Sequence, residues 1–328
     1  RRRVKAVWYR RQGAPDEVLE LGTLPTPAPG PGEVLVRLAA SGVNPSDCNR
    51  RRGAGFAMEA PLVVPHSDGA GTIVGVGAGI DKARLGERVW LYNGQRNGRT
   101  MGTGAEFIAL DATLVSALPG HVPFEAGACL GIPAMTAYAC VFGGGPLGGR
   151  TVLVTGGAGA VGHYAIQLAR WGGARVLTTV SNDEKAAHAR RAGADVVVDY
   201  RRDDVVEAIG DATGGAGVDR VVDVDFGGNL AQTVKLVKAN GEIAFYASRG
   251  EPAPALPTYE LMRKCVTLRS VLLPALPVAV REGAQAGIGR WLREADAVHT
   301  VCEVFPLERT ADAHRRVESG TKRGTVVV

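Results

Sequence analysis

Apolar residues are distributed in two regimes along this chain. Up to about residue 122 they come in short bursts, Val34–Ala39, Gly71–Val76, Arg88–Tyr92 and Glu106–Leu110, divided by Gly, Pro and Asn. That spacing predicts short strands joined by turns. TPAPGPGE (Thr26–Glu33) is a proline–glycine loop that no helix could cross. Asp81–Gly86 and Gly94–Gly104 read as surface loops. From Pro123 the pattern changes. Glu125–Cys140 is helical in composition, and strand and helix then alternate. Strands are predicted at Thr151–Gly156, Arg175–Val180, Asp195–Tyr200, Val218–Val224, Glu242–Ala247 and Val266–Leu273. Helices are predicted at Ala160–Trp171, Asp183–Arg191, Asp203–Ala212 and Asn229–Lys238. This alternation implies an α/β, doubly wound parallel sheet over residues 125–273. A helix at about Gly283–Ala295, a strand at Val301–Phe305, a helix at Arg309–Ser319 and a last strand at Gly324–Val328 follow. These are expected to return to the β-rich domain, giving it residues 1–124 and 274–328.

The strand at Thr151 runs into Gly157-x-Gly159-x-x-Gly162 and then into the helix from about Ala160. The first glycine suits a tight turn and the second lets backbone approach a phosphate. The third lets helix and strand pack closely, while the helix's free N–H groups face the anion. A glycine triplet alone would mean little in a chain with 45 glycines in 328 residues; the strand before it and the helix after it make it specific.

Composition narrows the class. The 38 basic and 33 acidic residues leave a net charge of +5, too small and dispersed to argue for nucleic acid. No apolar run reaches the ~18 residues of a membrane span, and no apolar leader core follows RRRVKAVWY. The five cysteines are scattered with no C-x-x-C pair. They fit reduced thiols in a cytoplasmic protein rather than a disulfide frame or zinc cluster.

The cofactor is read from the end of the second predicted strand, where an NAD-binding chain usually carries Asp or Glu. Here the strand ends TTVSND, and Ser181 leaves room for the 2′-phosphate of NADP. Lys185, Tyr200 and Arg201 could converge on the same anion. Two other readings stay open: Ser181-x-x-Glu184 as a helix capping box with Lys185 on a solvated face, and Asp183 as a displaced ribose acid.

Several segments together resemble the zinc-free medium-chain dehydrogenases/reductases, specifically NADPH:quinone oxidoreductases of the zeta-crystallin type. They are SGVNPSD (Ser41–Asp47), PHSDGAGTIVGVG (Pro65–Gly77), GERV (Gly86–Val89), GAEF (Gly104–Phe107), AMTAY (Ala134–Tyr138), the glycine turn and ESGTKRGTVVV (Glu318–Val328). The resemblance covers nearly the whole chain. It implies a GroES-like β-barrel catalytic domain, a Rossmann NADP-binding domain and a homodimer paired through edge strands. It also implies that Asn44 lies at the nicotinamide end and Thr136 near the amide or phosphates. Ala158, Gly159, Ala160 and Val161 would line the pyrophosphate, and Ser181, Lys185 and Tyr200 would hold the adenosine phosphate. Asn229, the strand end Tyr246, Ala247, Ser248 and Arg249, and Val271, Leu272 and Leu273 would complete the cofactor crevice. For Tyr246 and Val271 simple core packing explains the residues equally well.

Zinc-dependent relatives carry Cys at the place of Asn44, a His-Glu pair at Ser67 and Asp68, and a four-cysteine cluster in the region Tyr92–Met101. None of these ligands is present. Catalytic zinc needs three, so no metal is expected, and hydride would pass from NADPH to a quinone or, as the alternative, to an enone or enoyl thioester. The family usually has Tyr where this chain has Asn49, inside the run Asn49-Arg50-Arg51-Arg52, and Gly where it has His66. The arginines read as a solvated loop, or as contacts for an anionic substrate such as a coenzyme A ester. His66, with an ordinary pKa of ~6.5, is a candidate proton donor to the reduced acceptor. A non-catalytic NADPH-holding or RNA-binding protein is the rival from another class; the chain shows no RNA-recognition motif.

Overall fold

The computed structural model describes residues 3–55, 57, 58 and 60–328. The chain divides into two compact units, one running to Ile132 and resuming at His299–Val328, the other Pro133–Val298.

Elements are numbered in chain order. The first unit holds β1 (Arg3–Trp8), α1 (Pro15–Val18), β2 (Glu20–Pro25), β3 (Glu33–Val43), α2 (Pro45–Arg52), β4 (Asp68–Val76) and β5 (Arg88–Leu91). It continues with β6 (Phe107–Asp111), β7 (Val115–Ala117) and α3 (Phe124–Gly127). The second unit contains α4 (Met135–Phe142), β8 (Thr151–Val154), α5 (Ala160–Trp171), β9 (Arg175–Val180), α6 (Asp183–Arg191), β10 (Val196–Asp199) and α7 (Val205–Ala212). Then come β11 (Val218–Asp223), α8 (Phe226–Leu236), β12 (Val237–Phe245), α9 (Thr258–Lys264), β13 (Thr267–Ser270) and α10 (Val278–Glu294). Three elements return to the first unit: β14 (Val301–Val304), α11 (Thr310–Glu318) and β15 (Thr325–Val327).

In the first unit the strands pair in the order β14-β15-β3-β4-β5-β7, with β6 also on β3 and β1–β2 forming a separate antiparallel pair. All the main pairs are antiparallel except β14 with β15. Val34, Val36, Ile73, Val89, Leu91, Ile108 and Leu110 form its core. Alternate residues of each strand turn inward, as period-two patterning requires. In the second unit six parallel strands run in the order β10-β9-β8-β11-β12-β13. In order of appearance that is 3-2-1-4-5-6, the doubly wound arrangement with its switch point between the first and fourth strands.

Helices α5 and α6 and strand β9 have the bounds the sequence predicts. The single helix expected over Glu125–Cys140 is instead α3, a π-type turn at Leu130–Ala134, and α4. Gly131 leaves helical geometry there (φ −64°, ψ −109°), and Pro133 supplies no N–H to continue the ladder. Helix α2 falls where the arginines read as a loop. Its start follows ordinary capping rules: Asn44 at the N-cap, Pro45 at the first position, and the Asp47 carboxylate accepting the Asn44 N–H at 2.8 Å.

The expected boundaries at 124/125 and 273/274 differ from the observed ones, 132/133 and 298/299. Residues 274–298 belong to the parallel-sheet unit, because α10 packs there rather than returning with the last strands. Trp291 meets Tyr164 edge-on, with ring centroids 5.9 Å apart, and Trp171 Nε1 donates to Glu294. Val298 exchanges two hydrogen bonds with the Gln167 amide. At Gly287 a β-carbon would lie 2.2 Å from the Tyr138 ring. Gly287→Ala is therefore expected to destabilise the fold by about 1–3 kcal/mol, as overpacking does, measured as a lower denaturation midpoint.

Candidate cofactor site and active-site cluster

The glycine turn follows β8. Gly156 sits at φ +66°, a left-handed geometry that glycine adopts without strain. A β-carbon on Gly157 would lie 2.1 Å from Thr178 Oγ1 of β9, and one on Gly162 would lie 2.3 Å from the Gly156 carbonyl oxygen. Gly159, by contrast, is exposed and would meet nothing nearer than 3.3 Å. So the outer glycines allow close packing and the middle one leaves its outward side open. Ala158 is buried, while Ala160 and Val161 are half-buried at the start of α5. That helix has no side-chain cap and no acid in its first turn. Its leading N–H groups have no intrahelical acceptor, and no carboxylate competes for them. The turn fits a pyrophosphate.

At the end of β9, Lys185 Nζ donates to Ser181 Oγ at 2.9 Å. The cap of α6 is Asn182, whose side chain accepts from the Lys185 N–H at 2.9 Å. The Ser181 capping box is therefore not formed. Asp183 is exposed and paired with Arg202 at 2.8 Å. Tyr200 is half exposed just beyond β10.

Around the switch point, Thr155 Oγ1 and Asn229 Nδ2 both donate to Asp223 Oδ1, at 2.7 and 2.8 Å. Tyr246, Ala247, Ser248 and Arg249 follow β12, where the Phe226 N–H reaches the Ala247 carbonyl and the Gly227 N–H reaches Ser248 Oγ. Val271 and Leu273 are buried past β13, and Leu272 is exposed. Thr136 is buried in α4. Apart from Thr136, these residues lie at or beyond the carboxyl ends of their strands, the side where doubly wound sheets bind ligands.

In the first unit a buried polar cluster surrounds Asn44. Its Nδ2 donates to Asp68 Oδ2 at 2.7 Å, and the Ile132 N–H reaches the same oxygen at 2.9 Å. Among the described residues Asp68 Oδ1 has no partner, and neither do Ser67 Oγ or the two amide atoms of Asn93, all buried. The Gly94 N–H bonds the Ser67 carbonyl, bringing the Asn93 segment to this point. Gly131 is needed here, since a β-carbon would lie 2.1 Å from Asp68 Oδ1. Burial pushes the Asp68 carboxyl up to about 8, with the nearby Asp47 charge adding to it. Asp47 itself is bound by Arg96 at 2.8 Å.

Two expectations change. His66 is fully buried and held at about 4 by burial. Its Nδ1 meets Ser41 Oγ and its Nε2 meets His314 Nε2, both at 2.9 Å, so it is not an accessible acid of ordinary pKa. Arg51 is not solvated: it is 1% exposed and bonds Glu318 at 2.6 Å. In sequence Ser67 and Asp68 stand out only as positions without zinc ligands, and Asn93 and His314 do not stand out at all. A polar residue beside a glycine-rich strand carries no signal of burial until its neighbours are known. Among the described residues no three His, Cys, Asp or Glu side chains converge as a metal site, and no helix is long and apolar enough to cross a membrane.

A 3-2-1-4-5-6 sheet with an uncapped glycine turn after its first strand, in one chain with an antiparallel β unit, defines a nucleotide-binding two-domain dehydrogenase or reductase. A family model described as an alcohol dehydrogenase GroES-like domain matches residues 30–142, and one described as a zinc-binding dehydrogenase matches residues 160–285. The quinone oxidoreductase of Lama guanicoe is 31% identical over all of this chain and 98% of its own. A mycobacterial protein solved with NADPH superposes with a TM-score of 0.85 at 29% identity, covering 98% of this chain and 99% of the other. A 2-methylene-furan-3-one reductase of Solanum lycopersicum is 30% identical over 99% of this chain and 79% of its own. The chain belongs to the quinone oxidoreductase family of the medium-chain dehydrogenases/reductases. Its first unit is the GroES-like domain and its second the Rossmann domain.

The Asp68 carboxyl gives a pH test. Its folded value of about 8 lies above the ordinary ~4 of an unfolded Asp. Between those values the folded state retains a proton that the unfolded state releases, so this group's contribution falls as pH rises from about 4 to 8. Asp68→Asn, which cannot titrate, is expected to gain thermal stability relative to the native chain across pH 5–9, read from paired melting curves.

Proposed function

We propose that this chain is an NADPH-dependent, metal-free reductase whose acceptor is a quinone. The observation that carries the cofactor choice is the Ser181–Lys185 pair at the end of β9, a hydroxyl and an ammonium where an acid would hold the ribose of NAD. The quinone reading is supported by the relatives of similar length named as quinone oxidoreductases. Bound NADPH supplies the hydride, and conjugated carbonyls accept it without a Lewis acid. The open side of the turn at Gly159 and the N-terminus of α5 bind the pyrophosphate, with Tyr200 beside the 2′-phosphate. Asn44, fixed by Asp68, orients the acceptor. His66 lies behind that group rather than in the reaction.

Relatives named as an alkenal/one oxidoreductase and a methylene-furanone reductase favour the enone alternative on the same residues. A coenzyme A ester has less support, because burial of Arg51 removes one of the three arginines its phosphates would meet. The five cysteines are unpaired, which supports a reducing, cytoplasmic setting. A homodimer through β13 is supported by the exposed apolar side chains near this edge strand, Tyr259 and Met262 on α9 and Leu272, Val278 and Val280 after it.

NADPH oxidation should be fast with 1,4-benzoquinone or 9,10-phenanthrenequinone and slower with a simple enone or crotonyl-CoA. No oxidation with any acceptor would leave a binding protein. Ser181→Asp combined with Lys185→Ala should lower kcat/KM for NADPH by about ten- to hundredfold relative to NADH, the scale of losing one or two charge-assisted contacts. Tyr259→Glu with Met262→Glu should convert a dimer to a monomer in size-exclusion chromatography; unchanged elution would move the interface elsewhere.

A further inference from the structure

A single file of hydrogen bonds runs through the interior of the GroES-like domain, linking α2 and α11 to the segment that carries Ser67 and Asp68. It begins at the Arg51 guanidinium, which donates to the Gly13 carbonyl at 2.6 Å, to Glu318 Oε1 at 2.6 Å and, through Nε, to His314 Nδ1 at 3.4 Å. The Cys48 thiol lies beside this last link, 3.5 Å from His314 Nδ1 and 3.8 Å from the His314 carbonyl, to which it can donate. His314 Nε2 then lies 2.9 Å from His66 Nε2, the two rings meeting edge to edge with centroids 5.1 Å apart and planes inclined by 29°. His66 Nδ1 meets Ser41 Oγ at 2.9 Å, Ser41 Oγ meets Thr103 Oγ1 at 2.7 Å, and Thr103 Oγ1 donates to the Asp68 carbonyl at 2.7 Å.

The chemistry of the two ends fixes every proton between them. A guanidinium can only donate, so His314 Nδ1 accepts and the neutral ring carries its hydrogen on Nε2. That hydrogen goes to His66 Nε2, which places the His66 hydrogen on Nδ1, pointing at Ser41. The Ser41 hydroxyl then donates to Thr103 and Thr103 to the carbonyl. Each link has one donor and one acceptor. Neither terminus exchanges a proton at neutral pH, since one is a permanent cation and the other a backbone carbonyl. The file therefore cannot feed protons to a substrate; what it can do is hold geometry.

What it holds is unusual backbone. His66 sits at φ +77°, a left-handed conformation that side chains with a β-carbon rarely adopt. Its ring is fully buried, and the next two residues carry the unpartnered Ser67 Oγ and Asp68 Oδ1. We propose that Arg51, His314 and His66 form a positioning device that fixes Ser67 and Asp68, and through Asp68 the Asn44 amide, for the acceptor. It works only while both imidazoles are neutral, because a second proton between the facing Nε2 atoms would replace a hydrogen bond with a repulsion. The charged and titratable groups around the pair are Asp47, Cys48 and Arg51 from α2, Arg96 from the loop after β5, and Glu318 from α11. Burial depresses both rings. Arg96 reinforces this at His66, against the pull of Asp47, and His66 and Arg51 reinforce it at His314.

This inference rests on the reductase reading for its kinetic consequence, while the proton order can be read without turnover. In the full-length protein labelled with 15N-histidine, long-range NMR couplings at pH 7 should show His66 protonated only on Nδ1 and His314 only on Nε2. An imidazolium at either, or the reverse tautomers, overturns the proposal. In kinetics, His314→Gln should stay within a few-fold of the native kcat, because its amide accepts from Arg51 and donates to His66. His314→Leu should lose roughly ten- to hundredfold, the cost of a displaced reacting geometry. His66→Gly suits the left-handed backbone but leaves a cavity and an unpaired His314 N–H, so it should fold with a lowered melting temperature and lose kcat on the same scale, with its affinity for NADPH unchanged. Native kcat in His66→Gly, or equal loss in the Gln and Leu variants, overturns the positioning role. A native enzyme that reduces no acceptor overturns the reductase reading, and the acceptor role with it, whatever the tautomers show.

Discussion

Asp68 Oδ2 accepts two hydrogen bonds from parts of the chain far apart in sequence, the amide of Asn44 at the start of α2 and the N–H of Ile132 in the π-type turn. This constrains the whole GroES-like domain. It ties the first residue of β4 to the cap of α2, and it forces the chain at Gly131 out of helical geometry, where no side chain could be tolerated. A carboxyl so deeply buried costs too much as an anion, so it keeps its proton near neutrality and acts as a neutral polar group. The remaining oxygen, Ser67 Oγ and the Asn93 amide are left without partners among the described residues. Native interiors rarely leave four such atoms together unless a ligand or water completes them.

The Rossmann domain follows a different economy. Its glycine turn is built by exclusion: Gly157 and Gly162 are packed against backbone and Thr178 so tightly that only hydrogen fits, while Gly159 faces outward. The end of β9 is equally sparse. One hydroxyl and one ammonium, 2.9 Å apart, stand where a carboxylate would repel a phosphate. Because Asn182 caps α6, Ser181 and Lys185 are not spent on the helix terminus. Asp183, in the first turn of α6, pairs with Arg202.

Much of this was legible in the residues alone. The glycine spacing, the strand before it and the amphipathic helix after it gave a βαβ unit with α5, β9 and α6 at their observed bounds, because those signals are local. The boundary at 298/299 was not legible. Whether α10 stays with the parallel sheet depends on Trp291 finding Tyr164 and on Gly287 clearing Tyr138, contacts between segments more than a hundred residues apart. The run Asn49-Arg50-Arg51-Arg52 misled for a similar reason. Its composition is that of a solvated loop, yet Asn44 and Pro45 begin a helix, and that helix turns Arg51 inward to Glu318.

By itself the sequence determined the cofactor class, the alternation of strand and helix that makes a parallel sheet, and the lack of a zinc-ligand set, since each depends on residue types at short spacing. Only the tertiary structure decided what His66 does. A histidine in place of a glycine reads equally well as an acid, a ligand or packing, and its chemistry is set by what its two nitrogens meet. Here they meet Ser41 and His314, from β3 and α11, with Arg51 from α2 beyond. Burial among those partners keeps the ring neutral, and a neutral ring with both nitrogens engaged can orient its neighbours but cannot serve as the acid its sequence position suggested.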